Sequence, residues 1–133
     1  MCSSDLRSFK GYFADEAETA RVIRDTYGNH GYLADTHTAV AISAAEQYVR
    51  ETGDVRPMVI DSTASPYKFA NNVYTAVTGK APTDDLSALD ELASATGTEI
   101  PYPLSGLAQR AVRFTKVVKR EDMASAVFEY LEI

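Results

Sequence analysis

Tryptophan, cysteine and long apolar runs are absent from this sequence or scarce in it. It has no tryptophan and a single cysteine, Cys2, so an internal disulfide is excluded. No apolar run approaches the ~20 residues that a helix needs to cross a bilayer, and no signal-peptide core is present. The sequence therefore predicts no membrane partner, and a cytoplasmic location is the default expectation.

Positive charge is scarce as well. Thirteen basic residues against nineteen acidic ones give a net charge of −6, which argues against a nucleic-acid partner because such a surface needs positive charge to displace counterions. The two histidines, His30 and His37, have no cysteine or carboxylate at a metal-ligand spacing, so no metal site is expected. Neither Gly-x-Gly-x-x-Gly nor Gly-Lys-Ser/Thr occurs, which excludes phosphate-binding loops of those two kinds.

The remaining composition is that of an ordinary globular chain. Of the 133 residues, 45% are hydrophobic and 24% are charged, values typical of a soluble domain large enough to bury a core. Capping residues predict five helices, with Asp15, Asp35, Ser65 and Thr83 as N-caps of the first four and the fifth beginning near Glu121. The apolar positions expected to be buried include Leu86, Leu89 and Leu92 in the fourth helix, and Met123, Val127, Phe128 and Leu131 in the fifth.

Two short apolar segments predict β-strands, Met58-Val59-Ile60 and the segment from Arg113 to Val118. The predicted fold class is therefore α/β, mostly helical, with about two strands. An isolated two-stranded sheet is only marginally stable, and its unpaired edges tend to pair with other chains. We therefore expect a piece of a larger domain, and self-association of the isolated chain.

A hydroxyl-rich turn follows the first predicted strand. Ser62 and Thr63 lie there, before the helix that Ser65 caps and Pro66 opens. Ligands of α/β sheets collect outside the carboxyl ends of strands, so the turn is a candidate site, although an ordinary strand–helix connection is the better interpretation from the residues alone. Lys68 lies in the first turn of the helix, near a pole that favours anions, although a solvated lysine is the better interpretation there too.

Two other arrangements are disfavoured. Asp35, His37 and Ser62 could be imagined as a hydrolase triad, but an Asp and a His two residues apart at a helix start tend to point apart, and no Gly-x-Ser-x-Gly elbow exists. Lys10, in a Ser-Phe-Lys-Gly string, suggests a Schiff-base lysine, but nothing nearby in the sequence would desolvate it or lower its pKa. A solvent-facing lysine is the better interpretation of Lys10.

Two segments in a fixed order carry a family resemblance. The first is Tyr-Leu-Ala-Asp-Thr-His-Thr-Ala-Val-Ala at residues 32–41, and the second is Ser-Thr-Ala-Ser-Pro-Tyr-Lys-Phe at residues 62–69. Together they resemble the carboxyl-terminal part of threonine synthase, which carries Gly-Tyr-Leu and Asp-Pro-His-Thr-Ala-Val followed by Ser-Thr-Ala-x-Pro-x-Lys-Phe. The likeness extends from about Phe9 to the end. Thr36 stands where the family usually has proline, which weakens a helix-starting device and leaves the chemistry untouched.

The resemblance implies a pyridoxal-phosphate enzyme of fold type II, the tryptophan synthase β-like fold. Thr63 matches the hydroxyl residue that meets the pyridine nitrogen of the cofactor in this family. His37, Ser62 and Lys68 match other motif positions and are expected to form part of the active-site wall. The family's Schiff-base lysine and phosphate loop lie upstream of the matched motifs, so no residue of this chain is expected to be catalytic.

The implied reaction converts O-phospho-L-homoserine and water to L-threonine and phosphate. Residues 1–6 are interpreted as a non-native leader, of the kind that a sequencing adapter would encode, and residues 7–133 as the carboxyl-terminal part of the catalytic domain. The chain alone is expected to be inactive. Two alternatives stay open: a standalone non-catalytic interaction or ligand-binding module, and another fold type II pyridoxal-phosphate enzyme with a different amino-acid substrate.

Overall fold

The computed structural model of the chain describes residues 9–132, so the proposed leader at residues 1–6 lies outside the described part. The five predicted helices are confirmed. They are α1 (Glu16–His30), α2 (Thr36–Thr52), α3 (Ala70–Thr78), α4 (Ser87–Thr96) and α5 (Met123–Leu131), and short 3₁₀ turns occur at Pro66–Phe69, Leu107–Gln109 and Arg120–Asp122.

The beginnings of α1 and α3 follow from their capping residues. The Asp15 carboxylate accepts a hydrogen bond from the Glu18 N–H at 2.8 Å, which satisfies one of the free amides at the start of α1. Ser65 caps the 3₁₀ turn that leads into α3 by accepting from the Tyr67 N–H at 3.3 Å. Pro66 takes the first position there, and the chain makes one 3₁₀ turn before α3 begins. Gly79 ends α3 in the left-handed conformation, with φ at 72°, as glycine allows.

The predicted start of the fourth helix is wrong in its capping residue. Asp84, rather than Thr83, accepts from the Leu86 and Ser87 N–H groups, at 3.0 and 2.8 Å. Either residue type is a good N-cap, and the sequence pattern does not separate neighbours one position apart. Leu89 is buried as predicted, whereas Leu86 precedes the helix and is 45% exposed.

The core lies between the first four helices. Helix α1 packs against α2 on one side and α3 on the other, and α3 also packs against α4. The residues that fill the contact are small or aliphatic, with one tyrosine: Val22, Ile23, Ala39, Tyr67, Ala70, Val73, Ala76, Ala88, Leu89 and Leu92. Burial of their apolar surface supplies the main stabilising contribution to the packed unit of α1, α2, α3 and α4, which we call the helical body.

The two predicted strands are wrong, and with them the α/β part of the predicted fold class. No β-strand occurs within residues 9–132, which are helical, turn or irregular. Val59 is 97% exposed and Val117 is 93% exposed, so these apolar segments neither pair with another segment nor cover the core. The β-branched residues have strand propensity, but propensity makes a strand only where a partner strand supplies the hydrogen bonds.

The carboxyl-terminal part is the least packed portion of the described chain. In α5, the four residues predicted to point inward are all exposed, by 53% to 57%, so the prediction that they are buried is wrong. Helix α5 has no buried residue, and its main contact is the preceding 3₁₀ turn. The apolar residues of α5 are spaced as in an amphipathic helix, but the helical body does not cover this apolar face.

Candidate functional site

The candidate site is built around the start of α2. Asp35 is the N-cap of this helix, and one carboxylate oxygen accepts hydrogen bonds from the backbone N–H groups of His37 at 2.8 Å and Thr38 at 3.3 Å. The other carboxylate oxygen accepts from the Thr38 hydroxyl. Asp35 is only 1% exposed, so these hydrogen bonds replace the solvation that burial removes.

Opposing effects act on the ionisation of Asp35. Burial raises the pKa of its carboxyl group, while the hydrogen bonds from the Thr38 hydroxyl and from the N–H groups of His37 and Thr38 lower it. The pKa lies below its ordinary value of 3.8. Asp35 is therefore a buried carboxylate at neutral pH, and a carboxylate accepts hydrogen bonds without donating any.

Three hydroxyl groups continue outward from this carboxylate. The oxygen atoms of Thr38 and Ser62 are 3.0 Å apart, and the Tyr32 hydroxyl donates to Ser62 Oγ at 3.1 Å. Each hydroxyl has a single proton. The Thr38 hydroxyl is shared between the Asp35 carboxylate and Ser62 Oγ, and Ser62 Oγ also accepts from Tyr32. The hydroxyls thus form a connected series from the protein surface to the buried carboxylate, which we call the hydroxyl relay (Tyr32, Ser62, Thr38 and Asp35).

Thr63 follows the relay directly in the chain. Both Ser62 and Thr63 are exposed, so Thr63 is not part of the packed interior. Two clefts are lined by residues close to Thr63 in the chain, although neither lining includes Ser62 or Thr63. One, of about 610 Å³, is lined by residues that include Ile60 and Asp61, and the other, of about 400 Å³, is lined by residues that include Phe69.

His37 lies on the second cleft. Its ring stacks at a tilt on Phe69, with centroids 5.0 Å apart and planes at 47°, and its Nδ1 is 3.5 Å from an Asp35 oxygen. The His37 side chain is 65% exposed, so the ring presents its outer edge to solvent. Asn72 and Glu16 also line this cleft, which therefore contains polar groups of three helices.

The other sequence-derived candidates have clear positions. Lys68 is exposed within the 3₁₀ turn that precedes α3. Tyr67 beside it is buried, and its hydroxyl lies 3.0 Å from the Thr98 carbonyl, so this turn is anchored to the end of α4.

Lys10 pairs with Glu51 at 2.5 Å, and this contact raises the pKa of Lys10. A raised pKa keeps the amine protonated, which is the opposite of what a Schiff-base lysine requires.

The triad alternative is not supported. The partners of Ser62 are Thr38 and Tyr32, and no hydrogen bond joins it to His37 in the described part of the chain. Residues 9–132 also contain no group of three or more potential metal ligands. Within the same range, no helix has the combined length and apolarity that crossing a membrane requires.

Sequence reasoning missed the connection between Asp35 and Ser62. Asp35 was expected as a cap and Ser62 as part of a turn, 27 positions along the chain, and nothing in either segment signals contact with the other. Tyr32 and Thr38 were expected only as members of the first motif. The connection depends on tertiary structure, because the irregular segment after α2 returns to the start of the same helix.

Comparison with known proteins shows the family. The family model described as "Threonine synthase, C-terminal" matches residues 38–127. The threonine synthase of Pseudomonas aeruginosa PAO1 is 35% identical over 74 residues, which cover 56% of this chain and 15% of that protein. The human protein "Threonine synthase-like 1" is 35% identical over 71 residues, which cover 53% of this chain and 9% of that protein.

The matched region includes the relay residues Thr38 and Ser62 as well as Thr63 and Lys68. The chain belongs to the threonine synthase family, and the region that matches is the carboxyl-terminal one. It spans only a small share of the length of either relative. The resemblance drawn from the two motifs is thereby confirmed.

Proposed function

We propose that this chain contributes one cofactor contact and part of the active-site wall to a threonine synthase that uses pyridoxal 5'-phosphate. The reaction is the conversion of O-phospho-L-homoserine and water to L-threonine and phosphate. The observation that carries the proposal is the position of Thr63, which is exposed beside a segment fixed by the hydroxyl relay.

The residues present fit one contact to the cofactor. When bound, pyridoxal phosphate supplies an electron sink that stabilises negative charge at the substrate's α-carbon. The Thr63 hydroxyl is the group that would meet the pyridine nitrogen. A hydroxyl, unlike an aspartate, does not force that nitrogen to stay protonated, so Thr63 would moderate the electron sink.

The active-site wall residues, His37, Ser62 and Lys68, would bind and orient the substrate. His37 and Ser62 lie on either side of Asp35 in the contact network, and Lys68 follows Thr63 by five positions on an anchored turn. Their roles are binding roles, because the Schiff-base lysine belongs to the part of the enzyme upstream of the matched motifs. We therefore expect the chain alone to form no threonine and to keep no cofactor absorbance after dialysis.

A graft tests the proposal. Residues 9–132, which include the hydroxyl relay and His37, replace the corresponding carboxyl-terminal region of the Pseudomonas aeruginosa threonine synthase, and circular dichroism checks that the graft folds. Thr63→Ser keeps a hydroxyl and is expected to retain the turnover of the graft within a few-fold. Thr63→Val keeps the shape without the hydroxyl and is expected to lower kcat by about 10- to 100-fold, roughly 1.4–2.7 kcal/mol of barrier. Equal turnover of the two folded variants would refute the role of Thr63.

A further inference from the structure

The segment between α2 and the Ser65 cap has few fixed points. At its start, Asp54 accepts from the Tyr48 hydroxyl at 3.0 Å and pairs with Arg56. Near its end the segment contacts the helical body through Ser62, which lies in the hydroxyl relay. The backbone from Pro57 to Asp61 is irregular, so secondary structure does not fix its position.

We propose that Asp35 is a positioning residue that fixes the backbone at Thr63 through Thr38 and Ser62. The proposal rests on the proposed function only for what Thr63 contacts. Its physical basis is the hydroxyl relay, which joins a buried group at a helix start to an exposed segment 27 positions later.

A comparison with the α1 cap supports the proposal. Asp15 is the N-cap of α1, as Asp35 is of α2. Asp15 is exposed, however, and its side chain accepts one backbone hydrogen bond at 2.8 Å. Capping alone therefore does not require a buried carboxylate. Asp35 is buried and gives its second oxygen to a side chain, Thr38, whose own oxygen faces Ser62.

The contacts of the relay restrict the side chain of Ser62. Asp35 accepts from the Thr38 hydroxyl, which also lies 3.0 Å from Ser62 Oγ. Ser62 Oγ accepts from both Thr38 and Tyr32. The Ser62 side chain is therefore contacted from two sides, one of them tied to the buried Asp35. The neighbouring Thr63 shares a peptide bond with Ser62, so fixing one restricts the other.

The relay and the cap are separable by mutation. Thr38→Val removes the hydroxyl but leaves the backbone N–H groups that Asp35 caps, so α2 keeps its start. Thr38→Ser restores the hydroxyl. Thr19→Val is the matched control, because Thr19 is also buried in the first turn of a helix and donates to the Asp15 carbonyl at 2.8 Å, away from Ser62.

Backbone ¹⁵N relaxation of the full chain measures the effect without cofactor. We expect an order parameter for the Thr63 amide of about 0.85 in the unmodified chain and in Thr19→Val, and below about 0.6 in Thr38→Val. Thr38→Ser is expected to restore it. Where Thr38→Val fails to fold, Ser62→Ala interrupts the relay from its exposed side and is expected to give the same loss of order.

An order parameter at Thr63 that stays the same in Thr38→Val or in Ser62→Ala overturns the proposal. Failure of the proposed function is a separate result. If Thr63 loses order in Thr38→Val while the grafted Thr63→Val enzyme retains full turnover, the positioning by Asp35 stands and the cofactor contact is refuted. If Thr63 is unaffected by Thr38→Val while grafted Thr63→Val loses turnover, the cofactor contact stands and positioning by Asp35 is refuted.

Discussion

Replacement of Asp35 by alanine is expected to destabilise the chain more than replacement of the other aspartate cap, Asp15. Loss of an N-cap costs about 1 kcal/mol, and this cost applies to both residues. At Asp35 the buried Thr38 hydroxyl also loses its acceptor, and an unsatisfied buried group costs about 1–3 kcal/mol. The expected totals are about 2–4 kcal/mol for Asp35→Ala and about 1 kcal/mol for Asp15→Ala.

Urea unfolding followed by circular dichroism at 222 nm measures both free energies of unfolding. Asp15→Ala is the control for cap loss, because water replaces its exposed carboxylate. Asp35→Asn is a second control, since asparagine caps about as well as aspartate, and its cost is expected to fall below that of Asp35→Ala. Equal destabilisation by Asp35→Ala and Asp15→Ala would refute the reasoning that burial gives Asp35 a second role.

Three further predictions concern the helical body. Leu92→Ala, at a fully buried core position, is expected to lower the free energy of unfolding by about 3 kcal/mol, measured by urea titration; a loss under about 1 kcal/mol would contradict the described core. Hydrogen bonds from Arg21 and Ser43 lower the pKa of Glu18 from its ordinary 4.5 to about 2. A depressed folded-state pKa stabilises the fold above the unfolded value, so the stability advantage over Glu18→Gln should be full above pH 4.5 and vanish as pH falls to about 2; a gap independent of pH would contradict this. Gly79→Ala is expected to cost about 1 kcal/mol from left-handed strain alone, because no atom lies within 4 Å of the added Cβ; a stabilised variant would contradict the described conformation.

Local chemistry explains why the helices could be predicted. A short polar side chain at a cap and a glycine after the last turn act within four residues of themselves, as Asp15 and Gly79 show. Such signals survive in any tertiary context. Where two candidate caps are adjacent, as Thr83 and Asp84 are, the local signal no longer decides the boundary.

The strand predictions failed for a different reason. Val59 and Val117 have strand-forming side chains, but a strand is a property of a pair of segments. In residues 9–132 neither segment has a partner, and both valines are almost fully exposed. The inward face predicted for α5 failed in the same way, since Phe128 and its neighbours have nothing of the helical body to pack against.

The candidate site could be predicted only in part. The two motifs predict His37, Ser62, Thr63 and Lys68 as site residues, because a resemblance between sequences needs no coordinates, and their roles stay predictions. The contact of Ser62 with Thr38 needed the structure, since it joins segments whose proximity depends on the path of the chain after α2. Burial of Asp35 is likewise a tertiary property.

The most direct measurement of the central claim is a crystal structure of the grafted threonine synthase with pyridoxal phosphate bound. The account predicts that Thr63 Oγ1 lies within hydrogen-bond distance of the pyridine nitrogen, about 2.6–3.2 Å. A Thr63 hydroxyl directed away from the cofactor, with another residue at the pyridine nitrogen, would contradict it.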